Sequence, residues 1–131
     1  MIQPTQSQIM KLPTSIQIEP VGQCNLRCKM CSIQFRKDGP PYSSPAFMEY
    51  ETFVNIIDQF SDLQELHLQG LGEPMMHPRS FDMVEYAVKK GIKVTTNSNL
   101  TLLNNKRAER CVTSGLHCLH IEETWVHHWF A

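Results

Sequence analysis

The sequence predicts an α/β fold with about four parallel strands and flanking helices. Short segments with strand patterns alternate along the chain with segments of helical periodicity, and such alternation calls for a parallel sheet with right-handed crossovers. The 131 residues are 41% hydrophobic and 19% charged, which suits one soluble domain with a real core. The net charge of -1 gives no reason to expect binding to nucleic acid, and no apolar run approaches the length of a membrane span.

Four segments have strand character, and their ranges are 15–19, 63–69, 92–96 and 116–121. The first ends at Pro20, and the third is short and β-branched. In the first, second and fourth segments apolar residues alternate with polar ones, as in strands with one buried face. The apolar positions predicted to face the core are Ile16, Ile18, Leu66, Leu68, Leu119 and Ile121.

Three segments have helical periodicity, and their ranges are about 50–60, 78–90 and 104–112. The predicted buried stripes are Tyr50, Phe53, Val54 and Ile57 in the first helix and Phe81, Val84, Ala87 and Val88 in the second. Pro78 suits the first position of the second helix, and Gly91 suits the position after its end. Asn104 is a suitable N-cap for the third helix, which Gly115 ends.

Three cysteines follow the first strand at once, with Cys24, Cys28 and Cys31 in a C-x3-C-x2-C run. A [4Fe-4S] cluster normally takes four thiolates, so three from one loop would leave one iron open. The alternative is structural zinc, with Cys111, Cys118 or a histidine as the fourth ligand. Otherwise Cys111 and Cys118 are predicted to be buried core thiols.

The cysteine count and the N-terminus also predict where the protein works. Five cysteines without the spacing of a disulfide scaffold favour metal ligation or burial in a reducing compartment. The polar segment 1–8 lacks the basic start and apolar stretch of a signal peptide, so a cytoplasmic location is predicted.

Two further unusual turns follow the next two strands, at 70–74 and 97–99. Loops at the carboxyl ends of parallel strands open on one edge of the sheet. The cysteine loop and these turns are therefore predicted to form one site. Each turn alone is typical of an ordinary connection, so this prediction depends on all three together.

These motifs resemble the N-terminal half of the core of the radical S-adenosylmethionine (radical SAM) enzymes. Residues 24–31 match the family's C-x3-C-x-hydrophobic-C motif, and Gly72-Glu73-Pro74 matches its GEP turn. Thr95-Thr96-Asn97-Ser98 is similar to its T-T-N-G segment, with Ser98 in place of the usual glycine. The resemblance covers the chain from about 15 to 121.

The resemblance implies a partial (β/α) barrel, of which this chain would form a truncated part. It also implies a [4Fe-4S] cluster and S-adenosyl-L-methionine (SAM), which the reduced cluster would cleave to a 5′-deoxyadenosyl radical for hydrogen abstraction. Glu73 would accept from the ammonium group of SAM, and Asn97 would face the ribose side. The implied cluster ligands are Cys24, Cys28 and Cys31, and the implied SAM contacts are Met30, Gly72, Glu73 and Asn97.

The resemblance also sets expectations for the remainder of the chain and for its partners. The predicted division is a polar lead-in over 1–14, the core half over 15–121 and a tail over 122–131 that does not match the family. Glu122 stands where members often carry a serine that touches ribose. The implied partners are an electron donor such as flavodoxin or ferredoxin, a peptide or cofactor precursor as substrate, and a partner chain that completes the barrel.

The loss of the family pattern after Ile121 leaves alternatives open. The chain could be a truncated or frameshifted product, or one half of a split enzyme. The first hypothesis is an active radical SAM enzyme. The second is a non-catalytic half-domain that binds an iron–sulfur cluster or SAM, and the third is a zinc-binding module.

Overall fold

A computed structural model describes residues 11–122 of the chain. The strands are β1 (Ser15–Ile18), β2 (Glu65–Leu68), β3 (Lys93–Ser98) and β4 (Cys118–Ile121), and the helices are α1 (Tyr50–Asp58), α2 (Ser80–Lys89) and α3 (Asn105–Thr113). The sheet order is β1-β2-β3-β4 and every neighbouring pair is parallel. The predicted α/β fold is confirmed. Most of the predicted lead-in and tail lies outside the described residues.

One face of the sheet packs against α1 and α2 and forms the core. Leu66 of β2 lies between Ile16 and Val94 in register, and Leu68 lies beside Ile18. The alternation predicted for these strands therefore places their apolar side chains on one face. The fully buried members of the core are Phe53, Ile57, Leu66, Leu68, Met83, Ala87 and Val94. Within residues 11–122, no helix is long and apolar enough to cross a membrane.

The opposite face of the sheet is polar. Gln17, His67 and Thr95 stand side by side in register, and Asn97 pairs with His120 on the next strand. His67 Nδ1 lies 2.5 Å from Thr95 Oγ1, and burial together with the nearby His120 lowers the pKa of His67. In a complete barrel the helices surround the sheet, so the face that α1 and α2 leave uncovered would be the inner one.

The second helix begins later than the sequence predicted, at Ser80 instead of Pro78. His77 explains the difference, because its side chain is buried just before the helix and holds the preceding turn by two hydrogen bonds. Its Nε2–H donates to the Met48 carbonyl oxygen at 2.7 Å, and its Nδ1 accepts from the Arg79 N–H at 3.0 Å. A carbonyl only accepts and an N–H only donates, so these bonds define a neutral ring with the proton on Nε2.

Several local predictions are confirmed at the ends of the helices. Gly91 and Gly115 have φ angles of 80° and 83°, the left-handed conformation that glycine adopts without strain after a helix. Asn104 caps α3, because its Oδ1 accepts from the Arg107 N–H at 2.9 Å. The third strand runs on to Ser98, two residues beyond the predicted end.

The β4 edge, which we define as α3 and β4, is less buried than predicted. No residue of α3 is buried, and Arg110 ties the helix to Asp82 and Glu85 at 3.1 Å each. Ile121 is 56% exposed, so its prediction as a core residue is wrong. The sequence of α3 has few apolar residues and none of them is buried, so this helix offers little apolar surface to cover the strand.

The two cysteines of the β4 edge also depart from the prediction. Cys111 and Cys118 are half-buried rather than enclosed in the core. They are free thiols, and partial burial raises the pKa of Cys111.

Candidate functional site

A cavity of about 240 Å³ opens at the carboxyl edge of the sheet. Six of the seven predicted site residues line it, namely Cys24, Cys28, Met30, Cys31, Gly72 and Glu73. The remaining lining residues are Leu26, Ile33, Leu71, Asn99 and Glu122. The three loops that the sequence predicted on one edge therefore do meet there.

The cysteine loop is short and irregular, and its backbone bonds to the sulfur of its first cysteine. The Leu26 N–H donates to Cys24 Sγ at 3.4 Å, and the Cys31 N–H donates to the Cys28 carbonyl oxygen at 3.0 Å. A 3₁₀ turn, Ser32–Phe35, follows directly and buries Ile33. All three cysteines are half-buried free thiols, so they are available as ligands.

Arg27, between the first two cysteines, fastens the segment that follows the loop. Its guanidinium donates to four backbone carbonyl oxygens, those of Ile33, Arg36, Asp38 and Pro40. The same group lies 5.5 Å from the centre of the Tyr42 ring, within the range of a cation–π contact. This role was not predictable from the sequence, because only the fold brings these carbonyl groups together.

The turn after β2 is pressed against the chain that leaves β1. A Cβ atom at Gly72 would lie 2.0 Å from the Val21 carbonyl oxygen and 2.5 Å from that of Gln23. Only glycine permits so close a backbone approach. Glu19 Oε1 accepts from the Leu71 N–H at 2.6 Å and from the Gly72 N–H at 3.2 Å, which fixes the position of the turn.

Glu73 joins this turn to the end of β3. Its side chain is almost fully buried, at 3% exposure. Its Oε1 accepts from the Met75 N–H at 3.1 Å and from the Ser98 hydroxyl at 2.8 Å, and its Oε2 accepts from the Asn99 N–H at 2.9 Å. Ser98, where the family usually has glycine, therefore supplies one of three donors. The contact with a SAM ammonium stays a prediction.

The charges around the cavity favour a cation. Burial raises the pKa of the Cys24 thiol, the hydrogen bond from the Leu26 N–H opposes this, and the negative charge of Glu73 adds to the rise. Thiolates form when a metal replaces the proton. Three thiols and a carboxylate in one cavity thus form a donor set that a metal cofactor would stabilise.

Three thiols from one short loop are a donor set that a [4Fe-4S] cluster can use, with one iron left open. Across residues 11–122, no three His, Cys, Asp or Glu side chains converge closely enough to hold one metal ion. Zinc needs such convergence, with each sulfur about 2.3 Å from one centre. In a [4Fe-4S] cluster, by contrast, each thiolate binds a separate iron atom, so the thiols need not meet at one point.

Asn99 lines the cavity, and Asn97, the residue that was predicted for the site, does not. Asn97 is not among the residues that line the cavity, and its Nδ2 lies 3.4 Å from Glu122 Oε1. Its predicted contact with ribose stays a prediction. Asn99 lines the cavity and is 5% exposed, although the sequence indicated an ordinary turn. The Asn-x-Thr spacing of Asn99 and Thr101 was the available signal, because asparagine commonly bonds to the backbone two residues on.

A parallel α/β sheet with a thiol-lined cavity at its carboxyl edge defines the class of protein. The family model described as the Radical SAM superfamily matches residues 18–122. The chain belongs to the radical SAM superfamily.

Two relatives indicate how much of a family member this chain represents. It is 33% identical over 102 residues to the tungsten-containing aldehyde ferredoxin oxidoreductase cofactor-modifying protein of Pyrococcus furiosus, covering 76% of this chain and 27% of that protein. It is 29% identical over 99 residues to the AdoMet-dependent heme synthase of Nitratidesulfovibrio vulgaris, covering 75% and 26%. The chain thus spans about a quarter of the length of these relatives.

The fold is also similar to that of BtrN in a crystal structure with AdoMet and 2-DOIA. The TM-score is 0.70 at 20% sequence identity, and the match covers 85% of this chain and 46% of that one. A second BtrN structure, in an open conformation, gives a TM-score of 0.68 at 19% identity. These similarities establish the fold.

Proposed function

We propose that the chain binds a [4Fe-4S] cluster through Cys24, Cys28 and Cys31 and binds SAM beside it, as part of a radical SAM enzyme. When bound, the two cofactors supply reductive cleavage of SAM to a 5′-deoxyadenosyl radical that abstracts hydrogen from a substrate. The observation that carries the proposal is the single cavity shared by three free thiols and the turn at Gly72 and Glu73.

We propose that residues on different sides of this cavity hold the two cofactors. Arg27 and the 3₁₀ turn after the cysteines hold the loop in shape, so three thiols can be presented with little further ordering. Leu26, Ile33 and Leu71 line the cavity with apolar surface, which would shield bound cofactors from part of the surrounding water and so strengthen electrostatic interactions there. We expect this shielding to protect a cluster from hydrolysis.

The opposite wall of the cavity provides polar groups for SAM. Gly72 brings the backbone of the turn to the cavity, and Glu73 gives the wall a negative charge that suits an ammonium group. Met30 lines the cavity and is 71% exposed, so it is free to cover one side of a bound molecule. Glu122 lines the same cavity, and we propose that it faces the SAM ribose in place of the serine that family members often carry there.

For the whole protein we propose a cofactor precursor as substrate and a flavodoxin or ferredoxin as electron donor. The support for the substrate is that the two relatives described above are named for modifying a cofactor and for making heme. A peptide is the alternative substrate that we propose. We also propose a partner chain that completes the barrel. The free thiols suit a reducing compartment, so we propose the cytoplasm as its location.

The test is anaerobic reconstitution of the full chain with iron and sulfide, followed by reduction with dithionite in the presence of SAM. We expect about four irons per chain, a broad charge-transfer absorption band and release of 5′-deoxyadenosine. A well-loaded cluster without release would favour the non-catalytic half-domain. A protein that takes up zinc and no iron–sulfur cluster would overturn the proposal.

A further inference from the structure

Asn99 connects all three loops of the cavity. Its side-chain Nδ2 donates to Cys24 Sγ at 3.6 Å and to Asn25 Oδ1 at 3.2 Å, both in the cysteine loop. Its backbone N–H donates to Glu73 Oε2 at 2.9 Å, in the turn after β2. Asn99 is only 5% exposed, so bulk water does not compete for these hydrogen bonds.

The orientation of the Asn99 amide is fixed by its neighbour Thr101. Asn99 Oδ1 accepts from the Thr101 N–H at 2.9 Å and from the Thr101 hydroxyl at 2.7 Å. A backbone N–H can only donate, so the oxygen of the amide must face Thr101 and its nitrogen must face Cys24. The hydroxyl in turn accepts from Asn25 Nδ2 at 2.8 Å, which closes a ring of three side chains.

Hydrogen bonds to the sulfur ligands are among the features that set the reduction potential of an iron–sulfur cluster. A donor at the sulfur stabilises the reduced state more, because that state carries more negative charge. The Leu26 N–H also donates to Cys24 Sγ, but a backbone donor is present whatever the side chain is. The Asn99 donor belongs to a side chain, so a substitution can remove it.

We propose that Asn99 is a positioning residue that raises the reduction potential of the cluster by donating from Nδ2 to Cys24 Sγ. The inference rests on the proposed function, since it requires a cluster on the three cysteines. The role differs from that of Asn97, which the resemblance implied for SAM.

The experiment is an anaerobic redox titration of the reconstituted full chain without SAM. The state of the cluster is monitored during the titration by visible absorption and electron paramagnetic resonance. In Asn99→Ser the shorter side chain can still bond within its own turn, but it cannot reach Cys24. We expect a more negative midpoint potential, with the ratio of reduced to oxidised cluster at a fixed solution potential lower by about fivefold, as for the loss of one net hydrogen bond.

Asn104→Ser is the matched control, because it makes the same chemical change at the cap of α3, where serine and asparagine serve equally. Its potential should equal that of the unsubstituted protein. Thr101→Val is the second variant. It keeps the Asn99 amide and the Thr101 N–H but removes the hydroxyl, one of the two donors to Asn99 Oδ1, so a smaller shift in the same direction is expected.

The outcomes separate this inference from the proposed function. Unchanged potentials in a fully loaded Asn99→Ser protein would overturn the inference and leave the proposed function standing. An equal shift in Asn104→Ser would also overturn it. If Asn99→Ser fails to take up a cluster, Thr101→Val decides, by a shift in support or by an unchanged potential against. An unsubstituted protein that assembles no cluster would overturn both.

Discussion

The cavity rim and the β4 edge are held in contrasting ways. We define the cavity rim as the cysteine loop, the turn after β2 and the end of β3. Its contacts join residues far apart in sequence, such as Gly72 with Glu19 at a separation of 53 and Asn99 with Cys24 at 75. At the β4 edge, Val112 is 82% exposed and Ile121 is 56% exposed.

This contrast shows where the chain is most constrained. On the rim, buried polar groups meet specific partners, and removing one leaves another unsatisfied at a cost of about 1–3 kcal/mol. On the edge, side chains face solvent and can change with little effect. Substitutions that are chemically similar should therefore differ greatly between the two regions.

The largest effect is expected for Gly72→Ala. The new methyl group would overlap the carbonyl oxygens of Val21 and Gln23, and backbone atoms cannot move aside as a flexible side chain can. We expect the free energy of unfolding to fall by about 3 kcal/mol or more, measured by chemical denaturation of the metal-free protein.

Gly91→Ala is the control for this substitution. Gly91 has a positive φ but no atom within 4 Å of an added Cβ, so only the backbone strain of about 1–2 kcal/mol applies. Equal losses in the two variants would contradict the close approach at Gly72.

The next effect is expected for Glu73→Gln. The amide has one oxygen in place of two, so its amino group would face either the Asn99 N–H or the donors at Ser98 and Met75. A buried donor would lose its acceptor, and we expect a loss of about 2 kcal/mol in the free energy of unfolding.

Glu109→Gln tests the same chemical change on the exposed surface of α3. Its effect should stay within about 0.5 kcal/mol. A Glu73→Gln protein as stable as this control would show that the buried carboxylate does not bind the two turns together.

The difference between the regions also explains what the sequence could predict. Strand alternation, the Asn104 cap and the glycines at 91 and 115 are local signals, and the structure contains them as predicted. The turn after β2 and the cysteine loop were located from their order along the chain. The Glu73 and Asn99 contacts were not predictable, because they depend on side-chain partners that only the folded sheet brings together.

Ile121 shows the opposite failure. Its alternation with polar neighbours correctly gave a strand but wrongly gave a buried position. Alternation identifies which side chains share a face, and burial requires a second layer on that face. The polar sequence of α3 does not supply that layer within the described residues.

A smaller, pH-dependent effect is expected at Asp38, in the segment after the cysteine loop. Hydrogen bonds from Arg36 and then from Gln23 lower the pKa of Asp38 from 3.8 to about 2. Because the pKa is lowered by folding, the stabilisation is present above the unfolded value near 3.8 and is lost as the pH falls towards 2.

Asp38→Asn removes this titration. The difference in melting temperature between the unsubstituted protein and the variant should shrink as the pH is lowered from about 4 to about 2. Thermal melts followed by circular dichroism at each pH provide the measurement. A difference that is constant over this range would mean that the Arg36 contact does not persist in solution.

The smallest effect is expected for Val112→Ala at the β4 edge. The valine side chain is 82% exposed, so its truncation should change the free energy of unfolding by no more than about 0.5 kcal/mol. A loss above about 1.5 kcal/mol would contradict the open edge and would point to a surface that covers α3 in solution.

The central claim, that the three thiols of the rim hold an iron–sulfur cluster, is tested most directly by comparing two cysteine variants after anaerobic reconstitution. Cys28→Ala removes a cavity thiol, and Cys118→Ala removes a half-buried thiol of the β4 edge. We expect Cys118→Ala to bind as much iron and sulfide as the unsubstituted chain and Cys28→Ala to lose most of both. Equal iron and sulfide content in the two variants would contradict the account.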